Sequence, residues 1–140
     1  MTDEQDFFGE YRLMYRPFIN QINVKLEHHG LFSSQWGLLR LLIDRGPLTF
    51  GEIANALFIE KPSATKLIQK LMELDFIEIH AGKDKREKVV HLTANGEKLV
   101  GEIHNELNPI LEKSLAGVSQ QDMEIAKQVL AQIRKNIIGG

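Results

Sequence analysis

The stretch from Thr49 to Leu92, TFGEIANALFIEKPSATKLIQKLMELDFIEIHAGKDKREKVVHL, carries the pattern that decides the fold of this 140-residue chain. It opens on Thr49 and Glu52, a T-x-x-E box in which each side chain satisfies a backbone amide that a new helix leaves unpaired. A short helix to about Leu57 is expected. After a turn through Phe58, Ile59 and Glu60, Pro62 stands at the first position of a second helix, where its missing N–H costs nothing, with Lys61 as a poor N-cap. Ala64, Leu67, Ile68, Leu71 and Met72 recur at steps of three and four and predict its buried face, which turns Ser63, Lys66, Gln69, Lys70 and Glu73 outward. Two short helices joined by a few residues are the skeleton of a helix-turn-helix. The period then changes from helical to alternating, with Ile77 and Ile79 on one short strand and Val90 and Leu92 on another. Between them lies a polar hairpin tip, residues 82–87. A hairpin placed directly after a helix-turn-helix is a wing.

Outward from this stretch the chain reads as helix. Phe7, Tyr11, Tyr15, Phe18, Ile22 and Leu26 mark one face of a helix ending near Glu27, and Pro17 inside it predicts a kink near Leu13 or a helix in two pieces. Ser33 is the expected N-cap of a helix over residues 34–45, with Trp36, Leu39, Leu42 and Ile43 inward and Gly46-Pro47 as its stop. Beyond the hairpin, Thr93 caps a long helix carrying Leu99, Val100, Ile103 and Leu107, which Pro109 should bend before it ends near Gly117. Ser119 and Asp122 start a last helix whose stripe of Met123, Ala126, Leu130, Ile133 and Ile137 suits lengthwise packing against other helices.

Composition excludes several classes of function. The absence of cysteine removes disulfides, thiolate metal sites, thiol nucleophiles and thiol redox sensing. No apolar run approaches membrane-helix length, so no membrane partner is expected. The start of the chain, polar and acidic from Thr2 to Asp6, lacks the pattern of a secretory signal, and a cytoplasmic address is the expectation. The net charge of −2 hides an asymmetry, because residues 61–91 alone hold seven Lys/Arg against five Asp/Glu. The basic excess therefore falls on the helix and hairpin described above.

Those cations suit duplex DNA: a helix fits the major groove, and a hairpin tip reaches the neighbouring minor groove. Ser63, Thr65, Lys66 and Gln69 are the candidates for base edges or nearby phosphates, while Lys61 and Lys70 are better placed for phosphates alone. Lys83, Lys85 and Arg86 make the tip basic, Arg86 is the candidate for a narrow minor groove, and Asp84 stands ready to brace it. No cofactor is expected. His28 and His29 invite a metal site, yet neither they nor His80, His91 and His104 form an H-x-x-x-H or H-E-x-x-H spacing, and no metal is assigned. The serines have no nucleophile elbow and no phosphate-cradling glycine loop is present, so no catalytic residue is assigned and the chain reads as a non-enzyme. Tyr11, Tyr15, Phe18 and Trp36 are candidates for lining an effector pocket, although such a stripe is more often core.

Asp84-Lys85-Arg86, then Val89-Val90-His91-Leu92-Thr93 with Gly96 and Leu99, resembles the wing and its exit in regulators of the MarR type. Leu31, Gln35, Trp36 and Leu39 are similar to that family's second helix, Leu48, Thr49, Glu52, Ile53, Ala54 and Leu57 to the helix before recognition, and Pro62, Ser63, Thr65 and Leu71 to the recognition helix. Family members commonly have glycine where Asp75 stands. The resemblance implies a mostly α fold with a small β-hairpin wing, built as a single domain. A winged helix-turn-helix DNA-binding lobe would span about residues 33–93, and helices at about 5–28 and 94–138 would form a dimerisation lobe. It implies a homodimeric transcriptional regulator, a repressor, on a pseudo-palindromic operator in double-stranded DNA, with release by a small-molecule effector. The other reading is a winged-helix dimer that serves protein interaction without specific DNA binding.

Overall fold

The computed structural model describes residues 1–139 as six helices and three strands. They run α1 (Asp3–Glu27), α2 (Ser33–Arg45), β1 (Leu48–Thr49), α3 (Phe50–Leu57), α4 (Lys61–Glu73), β2 (Ile77–Ala81), β3 (Lys88–Leu92), α5 (Ala94–Ser114) and α6 (Gln120–Gly139). The chain divides into two compact units, Met1–Asn108 and Pro109–Gly140.

Local chemistry explains most of the boundaries in the first unit. Thr49 Oγ1 accepts the Glu52 amide at 3.2 Å, and Glu52 Oε1 accepts the Thr49 amide at 3.0 Å, so the first turn of α3 is closed from both sides. The Thr49 backbone amide, which donates to the carboxylate, and after it the Thr49 hydroxyl hold the Glu52 carboxyl below its ordinary value of 4.5. Thr2 and Gln5 make the same reciprocal box at the start of α1. Thr93 Oγ1 accepts the Gly96 amide at 3.0 Å and opens α5.

Three helix expectations need correction. Phe32, not Ser33, is the N-cap of α2, with Ser33 already helical. A phenyl ring offers no acceptor, and the end is secured from the other side: the side-chain Oε1 of the buried Gln35 accepts the Phe32 amide at 2.8 Å. Likewise α4 begins one residue early, on Lys61 behind the N-cap Glu60, which places Pro62 at the second helical position. Proline is free there for the same reason, since that amide has no partner within the helix. Finally, of the two outcomes expected from Pro17, the helix in two pieces is excluded, since α1 is continuous with Pro17 in its interior.

The core of this unit is aliphatic, with Leu26, Leu38, Leu39, Ile53, Ile68, Leu71, Val90 and Ile103 fully buried. Leu38 joins it from a position the predicted stripe omitted. Ile43 and Met72, which the periodicity assigned inward, are 42% and 40% exposed. Both sit in the last turn of their helix, at the edge of its apolar arc.

The hairpin register pairs Ile77 with Leu92 and Ile79 with Val90, so the alternating residues share the inner face as expected. A third strand escaped the sequence reading. Leu48–Thr49 pairs antiparallel with β3 at Leu48↔Val90 and Thr49↔Val89, giving the order β1-β3-β2. The residue just before α3 thus also anchors the inner strand of the wing.

Within the second unit, Ser119 Oγ accepts the Asp122 amide at 3.0 Å and starts α6 as expected. No residue of α6 is buried, and Ile125, Val129, Leu130, Ile137 and Ile138 stand exposed.

Candidate nucleic-acid interface

The approach to α4 is a tight turn. Phe58 ends α3 in the left-handed conformation at φ 56°, and the Ile59 amide returns to the Ala54 carbonyl at 3.1 Å. A bulky residue reaches this region only at a cost, so the turn is held by its hydrogen bonds and not by the preference of Phe58. Sequence reading did not single out Phe58, because no glycine or asparagine flags the turn.

From this turn α4 runs for 13 residues, about 20 Å. Ala64, Ile68 and Leu71 are buried, while Lys61, Ser63, Lys66, Gln69 and Lys70 are exposed, as the period predicts. Thr65 differs: it is half-buried, and its hydroxyl donates to the Lys61 carbonyl at 3.0 Å. Its oxygen keeps only acceptor capacity for anything outside the helix. Lys70 lies 3.9 Å from Glu73, an exposed pair of little energetic weight.

The hairpin tip is closed by two backbone hydrogen bonds and one side-chain bond. The Gly82 amide donates to the Glu87 carbonyl and the Glu87 amide to the Asp84 carbonyl, both at 2.9 Å. Asp84 Oδ1 accepts the backbone amide of Arg86 at 3.1 Å. Asp84 therefore shapes the turn, as an Asx-type bond two residues on, and does not pair with the Arg86 guanidinium. Among the described residues Lys61, Lys66, Lys83, Lys85 and Arg86 enter no ion pair. Lys88, exposed at the start of β3, adds a fourth cation to the tip against Asp84 and Glu87. Lys88 lies one residue beyond the polar tip legible in the sequence, residues 82–87, and is therefore not among the candidates drawn from it.

The four candidate aromatic residues differ in exposure and in neighbours. Tyr11 and Tyr15 lie side by side on α1 with ring centroids 5.8 Å apart, both more than 40% exposed. Trp36 is 5% exposed and packs edge-on against the His104 ring at 5.2 Å, a core position. Phe18 is half-buried. Of the histidines, His28 is exposed, His29 Nε2 lies 2.7 Å from Glu106 Oε2, and His80 stacks on His91 at 4.3 Å across the hairpin. Among the described residues no three His, Asp or Glu side chains gather to hold a metal ion, and no helix is long and apolar enough to cross a membrane.

Comparison with known proteins places the chain among regulators. A sequence profile of the MarR family matches residues 29–87. The HTH-type transcriptional regulator YwoH of Bacillus subtilis is 38% identical over 109 residues, 78% of this chain and 80% of its own. An HTH-type transcriptional regulator of Staphylococcus aureus strain MSSA476 is 31% identical over 137 residues, 96% of this chain and 94% of its own. The solved structure of Staphylococcus aureus MarR in complex with salicylate and kanamycin superposes with a TM-score of 0.88 at 30% identity, covering 97% of this chain and 93% of that one.

Proposed function

The chain belongs to the MarR family of transcriptional regulators, and from that premise we propose that it is a repressor that binds a pseudo-palindromic operator as a homodimer. The observation that carries this reading is the two exposed cationic surfaces, on the outer face of α4 and on the hairpin tip that follows it in the chain, where among the described residues only Lys70 is engaged, in a weak exposed pair with Glu73. On α4, Ser63, Lys66 and Gln69 face the major groove, with Lys61 and Lys70 on phosphates and Thr65 as an acceptor only. Arg86 enters the adjacent minor groove, flanked by Lys83, Lys85 and Lys88, while Asp84 holds the turn that presents it. The DNA-binding lobe spans residues 33–93, with the helices on either side of it serving dimerisation.

The homodimer accounts for apolar surface that one chain leaves in water. Phe7, Phe8, Tyr11 and Met14 on α1, and separately Ile125, Val129, Leu130 and Ile137 on α6, are all at least 40% exposed. Isolated exposed apolar residues are ordinary, whereas continuous faces on two long helices mark an interface. Two-fold symmetry then sets half-sites one helical turn apart, about 10 bp. A small-molecule effector releases the operator by binding one arrangement of the dimer more tightly than the other. The Staphylococcus aureus relative holding salicylate supports an effector of small aromatic-acid type, and Tyr11, Tyr15 and Phe18 supply accessible aromatic surface for it. Trp36, already packed on His104, would act as a wall and not as a contact opened to solvent.

Selection of bound duplexes from a random pool, followed by a salt titration of the winner, tests the reading. A DNA-binding regulator yields a two-fold symmetric consensus, and its log K falls linearly with log salt by about 0.9 per phosphate neutralised. No enriched sequence, or binding indifferent to salt, would leave the protein-interaction reading in its place.

A further inference from the structure

The base of the wing is closed by contacts that DNA recognition alone does not require. Asp75 follows Leu74, the C-cap of α4, and adopts φ 64°, a conformation that costs an L-residue free energy unless its surroundings hold it. Its backbone carbonyl accepts the Thr93 hydroxyl at 2.7 Å, and its carboxylate Oδ2 accepts Asn95 Nδ2 at 2.8 Å. One residue on, the Phe76 carbonyl accepts the Thr93 amide at 3.1 Å and lies against Gly96. The Thr93 oxygen also accepts the Gly96 amide, so a single hydroxyl joins the exit of α4 to the first turn of α5. The Asp75–Asn95 bond is the outermost member of this joint and the one made by two side chains.

Both residues are exposed, so the bond contributes little to global stability. Its leverage is geometric. Asp75 is the hinge point from which β2 departs, and five strand residues at ~3.3 Å each put the tip ~17 Å away. A swing of ~10° at the base would then move Arg86 by ~3 Å, well beyond what a hydrogen bond tolerates. We infer that Asp75 and Asn95 are a positioning pair for operator binding: their hydrogen bond fixes the angle of the wing against α5 and so the depth at which Arg86 enters the minor groove. This role rests on the assignment of Arg86 made above.

The test is a double-mutant cycle on a duplex that the wild-type protein selects from a random pool. Asn95→Ala changes no charge and should weaken binding between about twofold and tenfold, the worth of one hydrogen bond, with the thermal midpoint unmoved. In an Arg86→Ala background the same substitution should cost nothing further, because the loss passes through Arg86. Asp75→Gly and Asp75→Asn both remove the charge and both accept φ 64°, but only asparagine keeps an acceptor for Asn95; Asp75→Asn should bind tighter by the factor that separates wild type from Asn95→Ala. Wild-type affinity in Asn95→Ala, equal affinities for the two Asp75 variants, or a loss that persists undiminished without Arg86 overturns the positioning role. If Arg86→Ala itself leaves binding unchanged, the reading of the wing fails and the positioning role falls with it; if Arg86→Ala weakens binding while the cycle is additive, the positioning role alone falls.

Discussion

Gly96→Ala would place a methyl group where the backbone of the wing base already stands. A Cβ at Gly96 would fall far inside van der Waals contact with the Phe76 carbonyl oxygen, and at 3.1 Å from both the Phe76 carbonyl carbon and Leu92 Cδ2. A backbone oxygen cannot rotate away as a flexible side chain can, so either α5 or the start of β2 must move by about 1 Å to restore ordinary contact near 3.4 Å. That movement breaks the 3.1 Å bond from the Thr93 amide to Phe76, worth about 1 kcal/mol, and forces overpacking that costs about 1–3 kcal/mol more. Alanine's better helix propensity returns at most about 1 kcal/mol, leaving a net loss of about 2 kcal/mol. For a chain of this length the thermal midpoint should drop by about 6–8 °C, read by circular dichroism at one fixed protein concentration because the proposed dimer would make the midpoint concentration-dependent. Gly101→Ala is the matched control. It lies in the same helix with nothing within 4 Å of an added Cβ, and should gain about 0.5–1 kcal/mol. A Gly96→Ala protein that melts at or above the wild type would refute the steric argument and with it the rigid joint at the base of the wing.

Further predictions address the binding surface and the caps. Arg86→Ala should weaken operator binding and reduce the preference for A·T-rich flanks, whereas Lys70→Ala should weaken specific and non-specific duplexes about equally; competition binding against scrambled DNA separates the two, and identical behaviour would contradict the division of roles. Lys66→Ala should lower the slope of log K against log salt by about one if Lys66 neutralises a phosphate, and leave it unchanged with altered sequence preference if it reads a base. Thr49→Ala should destabilise the fold by about 1 kcal/mol in urea melts through loss of the α3 cap. The depressed pKa of Glu52 means that its ionised form is favoured in the folded state, so its contribution is complete above pH 4.5 and is lost as pH falls through the folded value. Glu52→Gln should therefore be less stable than wild type at pH 7 and approach it in acid, which urea melts across pH 3–7 would reveal.

The element order was legible in the sequence because capping and amphipathicity are properties of near neighbours. Thr49 with Glu52, Thr93 with Gly96, and Ser119 with Asp122 close their helices across three residues, and the inward sets of α4 and the hairpin follow periods that any local stretch displays. The exposed cations of α4 and of the tip followed from the same periods. Where a boundary moved, as at Phe32 and Glu60, the side chain that secures the helix end is absent or lies on the helical side, and composition at the cap itself misleads.

Tertiary structure alone decided the features that join residues distant in sequence. Two residues, Leu48 and Thr49, are too few to show a strand period, and they form β1 only because Val89 and Val90, some 40 positions on, offer an unpaired edge. Ile43 and Met72 are apolar at correct spacing yet exposed, since burial depends on where the neighbouring elements end and not on the helix that carries them. The bond from Asn95 to Asp75 spans 20 residues, and Gly96 lacks room for a side chain only because Phe76 approaches it. A sequence specifies what each segment can present, but which of those surfaces meet is set by the packing of all segments at once, and the angle of the wing belongs to that second kind of fact.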